Sequence, residues 1–310
     1  MRHVAFLVSI QLSDPTAITR LAALRARLKD LGWVEGKNIR YEYRTSEGDP
    51  AKRAALAREL VEAKPDILVS SSTPDTVALI KNTRTIPVVF STATDPVEAG
   101  FVQSLTRPGG NATGFTNSAP TMGDKWLEIL TEIAPSTKHV GVLFSPAAAP
   151  RKGDYFLDPM KAQAPSFGVA LTPLPITDTT AIDSIVAAFA AQPGAGLVVI
   201  PDSTMVGHRR EIVAAAARHR VPAIYPYYYF IAVGGLISYG FSYDTIAAEK
   251  SEVVVTQAEY IDLILRGANP AEVPVRTPRN YELLINMKAA DALGLTVPPA
   301  LLARADRIIE

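Results

Sequence analysis

The sequence predicts an α/β protein built from two doubly wound parallel sheets. Short β-branched segments alternate with longer amphipathic segments along most of the 310 residues, and this alternation gives parallel strands joined by right-handed helical crossovers. A segment rich in Pro, Gly and Asn, residues 107–117, interrupts the alternation as a crossover or linker would, after which the alternation restarts. The length also corresponds to about two domains of roughly 150 residues each.

The first half of the chain is predicted to contain four strands and three helices. The opening strand covers residues 3–8, and residues 16–31 carry apolar side chains at helical spacing up to a stop at Gly32. The elements that follow are strand 39–43, helix 51–63, strand 67–70, helix 74–82 and strand 88–91.

The second half has the same organisation without close sequence repetition. Its predicted elements are helix 126–133, strand 139–144, helix 152–167, strand 170–174, helix 182–190, strand 197–200, helix 209–219 and strands 223–225 and 236–238. The tail adds a long helix 245–266, extended pieces near 273–275 and 281–285, and a short helix 288–293.

The tail, at roughly 65 residues, is too short for a third domain. We therefore expect it to return and complete both lobes. The expected N-terminal lobe comprises residues 1–116 and 244–277, and the expected C-terminal lobe comprises residues 117–243 and 278–310.

Composition excludes several classes of function. Thirty-one basic and thirty-one acidic residues give a formal net charge of zero, which disfavours nonspecific nucleic-acid binding. The chain has no cysteine, so disulfides, thiolate zinc sites, iron–sulfur clusters and thiol nucleophiles are excluded. Its four histidines lack metal-ligand spacing, and neither a dinucleotide fingerprint, a phosphate loop nor a Gly-x-Ser-x-Gly elbow is present. We expect no cofactor and no metal.

The residues after the predicted strands are the candidates for ligand binding, because open α/β sheets bind ligands at the carboxyl ends of their strands. Ser71, Ser72 and Thr73 follow strand 67–70 and open a helix with Pro74 at its first position, which makes Thr73 the expected cap. Hydroxyls and N–H groups at a helix start favour a carboxylate or phosphate. The alternative is that these residues only cap the helix.

Acidic residues occupy two similar positions. Thr94 and Asp95 follow strand 88–91 and are expected to lead into a helix, and Asp202 follows strand 197–200. A carboxylate there would suit an ammonium or hydroxyl donor on the ligand, and helix capping is again the alternative.

Aromatic residues are concentrated in one segment. Residues 225–243 contain eight aromatic side chains among nineteen, against 7% in the whole chain. Rings with polar tips suit a pocket that stacks on a flat or apolar ligand, and filling of the core is the alternative. Tyr225 and Tyr239 are the preferred pocket residues, because each ends a predicted strand.

Nine short blocks of the sequence, taken in order, are characteristic. They are residues 31–39 (LGWVEGKNI), 42–44 (EYR), 85–90 (TIPVVF), 95–97 (DPV), 100–102 (GFV), 107–114 (RPGGNATG), 218–225 (RHRVPAIY), 234–240 (GGLISYG) and 304–306 (RAD). With these blocks the chain resembles, over nearly its whole length, the ABC transporter substrate-binding proteins of the type that binds aromatic amino acids.

The resemblance implies a type I periplasmic-binding-protein fold, in which two lobes joined by three hinge strands close on a ligand. It implies that the turn at residues 71–73 holds a carboxylate, that Asp95 or Asp202 meets an ammonium, and that Ser9, Gln11 and Tyr239 form cleft walls. One departure is at Ser145, where residues 145–148 read Ser-Pro-Ala-Ala and relatives often carry Asn-Pro-Ala-Asn. A pocket amide is therefore expected to be missing.

The resemblance also implies partners and a compartment. A monomeric receptor would bind an aromatic or other apolar amino acid, or a related carboxylate, in the periplasm and deliver it to an ABC permease. Residues 1–10 lack a signal cleavage site and are too short an apolar run for a membrane span, so the chain is either trimmed or cytosolic.

Two other classes of function remain as alternatives. One is a ligand-sensing domain of a signalling or regulatory system, although no helix-turn-helix precedes the first strand. The other is an amino-acid isomerase or hydrolase, but the lack of cysteine excludes a two-thiol racemase mechanism and no activated nucleophile can be assembled.

Overall fold

The computed structural model describes residues 1–116, 121–241 and 251–310. The chain divides into two compact units, each made of two chain segments. Unit 1 comprises Met1–Ser118 and Tyr243–Arg279, and unit 2 comprises Ala119–Ser242 and Asn280–Glu310. Among the described residues, no helix combines the length and apolarity that a membrane span requires.

The described part of the chain contains twelve strands and twelve α-helices. The strands are β1 Arg2–Val8, β2 Ile39–Thr45, β3 Ile67–Ser70, β4 Val88–Ala93, β5 Ala112–Thr116, β6 His139–Phe144, β7 Ala170–Pro175, β8 Ala195–Val199, β9 Ala223–Tyr225, β10 Ile237–Phe241, β11 Tyr281–Asn286 and β12 Arg307–Ile309. The helices are α1 Pro15–Asp30, α2 Pro50–Glu62, α3 Thr73–Asn82, α4 Met122–Ile133, α5 Asp154–Gln163, α6 Ile182–Ala190, α7 Ser203–Gly207, α8 Arg209–Arg218, α9 Tyr228–Ile231, α10 Glu252–Leu265, α11 Met287–Leu293 and α12 Pro299–Arg304.

Unit 1 is a doubly wound parallel sheet with strand order β2-β1-β3-β4-β5. Successive side chains of a strand point to opposite faces, and both faces of this sheet are apolar. Val4 and Phe6 of β1 pack with α1 and α10 on one face, whereas Ala5 and Leu7 pack with α2 and α3 on the other. Burial on both faces explains why these strands are continuous apolar runs in the sequence.

The helices of unit 1 begin at the signals that the sequence carries. Asp14 caps α1 by accepting a hydrogen bond from the backbone N–H of Thr16 at 2.8 Å, and Asp49 caps α2 in the same way. Each cap is followed by a proline at the start of the helix, where its missing N–H costs no intrahelical bond.

Unit 2 contains a seven-stranded sheet with strand order β12-β11-β10-β9-β8-β6-β7. β10 and β11 pair antiparallel, and the other pairs are parallel. Trp126 of α4 is buried in the core beside Phe156, and its indole Nε1 donates a hydrogen bond to the carbonyl oxygen of Tyr239 at 2.7 Å. The prediction of an α/β protein with two parallel-sheet lobes is confirmed as a fold class.

Several element predictions need correction. Residues 107–117, interpreted as a linker, contain the edge strand β5, because Gly114 allows β5 to approach β4 so closely that a Cβ atom there would overlap the carbonyl oxygen of Phe90. The predicted helix 152–167 is broken: 3-10 turns at Pro150–Gly153 and Ala164–Phe167 flank α5. Arg151 and Lys152, in the first turn, have left-handed backbones, which a continuous helix does not allow.

The tail differs in detail from its prediction. β10 extends to Phe241, so Tyr239 lies in the middle of a strand rather than at its end. The predicted helix 245–266 is seen as α10, and its first part falls on residues 242–250, outside the described residues. The strand β12 and helix α12 at the end of the chain were not predicted from the sequence.

Candidate ligand-binding site

The carboxyl ends of β1, β3 and β4 form the candidate site of unit 1. These strands are neighbours in the sheet, so the residues that follow them lie side by side. Ser9 comes after β1, the turn at residues 71–73 comes after β3, and Thr94 comes after β4. The structure joins this set through direct hydrogen bonds.

Hydroxyl groups link the first two strand ends. The backbone N–H of Ser9 donates to Ser71 Oγ at 3.1 Å, and the hydroxyl oxygens of Ser9 and Ser72 are 2.9 Å apart. Ser9 Oγ and Ser71 Oγ both donate to Oδ2 of Asp75, at 2.7 and 3.1 Å. The three serines therefore converge on one carboxylate.

Asp75 is a site residue that sequence reasoning missed. It is fully buried in the first turn of α3, and its Oδ1 is 3.1 Å from Nε of Arg53, which is also buried. Burial raises the pKa of Asp75, and the Arg53 guanidinium is the strongest influence in the opposite direction. Because acidic residues are common in the first turn of a helix, nothing in the sequence marked Asp75 as unusual. The available signal was Arg53, which shares a helix face with the buried Ala57 and Leu60.

The helix cap is one residue earlier than predicted. Ser72 is the cap of α3, because its Oγ accepts a hydrogen bond from the N–H of Asp75 at 3.2 Å. The prediction that Thr73 caps this helix is wrong. Thr73 Oγ1 instead accepts from the backbone N–H of Thr94 at 2.8 Å, which ties the turn after β3 to the end of β4.

Asp95 and Gln11 lie at the same edge but outside this hydroxyl cluster. Asp95 has a left-handed backbone with φ 47° and is half-buried. No helix follows it: residues 96–100 form a turn, in which the N–H of Glu98 lies 3.4 Å from Asp95 Oδ1. The expected helix is therefore wrong at this position. Gln11 is exposed, with its Nε2 at 3.4 Å from Glu47 Oε2.

Ser145 and Asp202 meet at the corresponding edge of unit 2. They follow β6 and β8, which are adjacent in the sheet. Asp202 Oδ2 accepts from the backbone N–H of Ser145, and Oδ1 accepts from that of Met205, both at 2.8 Å. Both residues are buried. Asp202 thus caps α7 and joins two strand ends, as the capping alternative expects.

Burial dominates the electrostatics of Asp202. It raises the pKa of this carboxyl from 3.8 to about 7, although the N–H groups of Ser145, Met205 and Thr204 all favour the charged form. No ion pair to Asp202 is found among residues 1–116, 121–241 and 251–310.

The two preferred tyrosines have different surroundings. Tyr225 ends β9 as expected, but its ring is 1% exposed and stacks on Phe230 at a centroid distance of 4.9 Å. This is the core-filling alternative, and it disfavours Tyr225 as a pocket wall. Tyr239 is only half-buried and stacks on Tyr281 at 5.9 Å. A role for Tyr239 at a ligand site remains a prediction.

Comparison with known proteins identifies a family model and a characterised relative that match this chain. The family model described as ABC transporter substrate binding protein matches residues 5–309. The tyrosine-binding protein of Clostridioides difficile strain R20291 is 24% identical over 269 residues, which cover 86% of this chain and 74% of that protein.

Two solved structures are similar over the full length. A conserved domain protein from Vibrio cholerae O1 biovar El Tor is 30% identical, with a TM-score of 0.89 and 99% of each chain covered. A Streptococcus pneumonia ABC domain in complex with L-Trp is 26% identical, with a TM-score of 0.88 and the same coverage.

Proposed function

Because the chain belongs to the family of ABC transporter substrate-binding proteins, we propose that it is the receptor of an import system for an aromatic amino acid. The observation that carries this proposal is the similarity, over 99% of both chains, to a protein in complex with L-Trp. The tyrosine-binding relative supports the same class of ligand. The family is one of binding proteins, and the receptor would hold its ligand without covalent chemistry.

The carboxylate of the ligand would be held at the N-terminal end of α3. The first N–H groups of a helix have no intrahelical partner, and the helix dipole favours an anion there. Pro74 supplies no N–H, and the N–H of Asp75 is taken by Ser72. This leaves the N–H of Thr73, the first residue of the helix, as the donor that faces the carboxylate.

Asp95 is proposed to meet the ammonium group of the ligand. It follows β4 at the same sheet edge as Thr73, and its left-handed backbone supports the assignment. Such strain in a residue other than glycine costs about 1 to 3 kcal/mol and is concentrated at functional sites.

The receptor is further proposed to act as a monomer outside the cytoplasm and to deliver its ligand to an ABC permease. Support for the permease and the compartment comes from the family, whose members serve ABC transporters.

A thermal-shift screen followed by isothermal titration calorimetry tests the proposed ligand class. L-Tyrosine, L-tryptophan and L-phenylalanine are compared with L-lysine, glucose and buffer. A ligand at 100 times its Kd stabilises the folded state by about 2.7 kcal/mol, which corresponds to a Tm increase of roughly 5 to 10 °C for a unit of this size. Stabilisation by glucose but by none of the amino acids would refute both the ligand class and the carboxylate assignment.

A further inference from the structure

The hydroxyl groups of Ser9, Ser71 and Ser72, at the strand ends of unit 1, all donate their hydrogen bonds to acceptors within the protein. The buried Arg53 guanidinium, 3.1 Å from Asp75, favours the charged form of this carboxyl, because a neutral Asp75 would leave the guanidinium without its counter-ion, a costly arrangement. Asp75 Oδ2 accepts hydrogen bonds from the hydroxyl groups of Ser9 and Ser71. The hydroxyl of Ser72 likewise has its acceptors inside the protein, namely Ser9 Oγ at 2.9 Å and the Asp75 carboxyl, whose pKa it lowers.

The oxygen atoms of these hydroxyl groups can still accept hydrogen bonds. A hydroxyl oxygen has one proton and two lone pairs. Ser71 Oγ uses one lone pair for the N–H of Ser9, and Ser72 Oγ uses one for the N–H of Asp75. Ser9 and Ser72 are buried, whereas Ser71 is half-buried. A ligand that reaches Ser71 therefore meets an oxygen lone pair, not an O–H donor.

We propose that Asp75 is a positioning residue that makes Ser71 an acceptor for the ammonium group of the ligand, an inference that rests on the proposed function. A ligand carboxylate at Ser71 would face a lone pair and the nearby Asp75 charge. An ammonium group there gains a charge-assisted hydrogen bond. Since an ammonium has three N–H donors, Ser71 and Asp95 can both serve it. The site thereby selects amino acids over carboxylic acids that carry the same ring.

The test compares L-tryptophan with indole-3-propionate, which keeps the ring and the carboxylate but lacks the ammonium. Wild type and Asp75→Asn are titrated with L-tryptophan by calorimetry, and indole-3-propionate is measured by competition. Asp30→Asn, at the exposed end of α1, is the matched control. Circular dichroism and a thermal scan establish that each variant is folded.

Asp75→Asn is expected to weaken L-tryptophan binding at least tenfold, the size of a lost hydrogen bond to a charged group. Binding of indole-3-propionate is expected to change less than threefold, so the preference for the amino acid collapses. A purely structural role would weaken both ligands equally. That result, or unchanged L-tryptophan affinity, would overturn the inference.

Ser71→Ala keeps the inference testable if Asp75→Asn does not fold, because it leaves the Asp75–Arg53 pair intact. It is expected to weaken L-tryptophan binding at least fivefold and indole-3-propionate binding less than twofold, with Ser184→Ala, at an exposed position of α6, as its control. An equal effect on both ligands would again overturn the inference. A wild-type protein that binds no aromatic amino acid refutes the proposed function itself, and that outcome is seen before any variant is made.

Discussion

Replacing Asp202 with asparagine should change how the stability of unit 2 depends on pH. The carboxyl is buried, its hydrogen-bond donors are backbone N–H groups, and its pKa is raised from 3.8 to about 7. An acid with a raised folded-state pKa binds its proton more tightly when folded. Its ionisation therefore favours unfolding, and the free energy of unfolding falls as pH rises from about 4 to 7.

The size of this effect follows from the two pKa values. A difference of about 3 units corresponds to about 4 kcal/mol at full ionisation. Part of the titration lies below pH 5, so the wild type should lose about 2 to 3 kcal/mol between pH 5 and pH 8 through this group. Asp202→Asn has no such loss. At pH 5 the variant is less stable by about 1 to 3 kcal/mol, because its amide NH₂ cannot accept from the N–H that Oδ2 accepts from.

Urea unfolding at pH 5, 6, 7 and 8 measures this difference. The free energy of unfolding of the variant minus that of the wild type cancels every other titrating group, and it should rise by about 2 to 3 kcal/mol across the series. Asp178→Asn is the control. Asp178 is an exposed cap in unit 2 whose pKa is lowered by bonds from Thr180, so it is ionised in both states at every pH used. Parallel curves for wild type and Asp202→Asn would refute the assignment of a raised pKa to Asp202.

Two further predictions concern unit 1. Asp95→Asn is expected to weaken L-tyrosine binding at least tenfold by calorimetry, with exposed Glu98→Gln as control; affinity equal to wild type would remove Asp95 from the proposed site. Gly114→Ala is expected to lower the free energy of unfolding by about 2 kcal/mol or more in urea, because its Cβ would overlap the backbone of β4. Gly100→Ala, also at positive φ but with open space around it, should cost about 1 kcal/mol, and equal costs would show that the overlap is relieved.

The fold class could be predicted because alternating apolar strands and amphipathic helices leave few other arrangements. β5 escaped prediction for a physical reason. Its sequence is rich in small residues, and glycine normally weakens a strand, but here the close approach to Phe90 requires Gly114. Composition alone does not reveal such a contact, because the contact depends on the strand that lies opposite.

The candidate site could be predicted only in part, because some of its contacts likewise depend on how the elements pack together. The positions after the strands predicted the turn at residues 71–73, since that position depends only on strand order, and the family resemblance added Ser9. It did not reveal Asp75, which depends on how α3 packs against α2 and Arg53. The enrichment in aromatic residues also did not reveal that Tyr225 is buried and Tyr239 only half-buried. A tyrosine that fills the core and one that faces a ligand contribute equally to composition.

Both units thus place a buried carboxylate behind a strand-end turn, but the two carboxylates differ in their partners. Asp75 has a guanidinium beside it, whereas Asp202 has backbone N–H groups. Asp75 is bonded within unit 1 and Asp202 within unit 2, so a change at one carboxylate leaves the contacts of the other in place. Asp202→Asn should therefore alter the pH dependence of stability and leave the preference for L-tryptophan over indole-3-propionate intact. Asp75→Asn should remove that preference, so ligand selection depends on the carboxylate of unit 1 and not on that of unit 2.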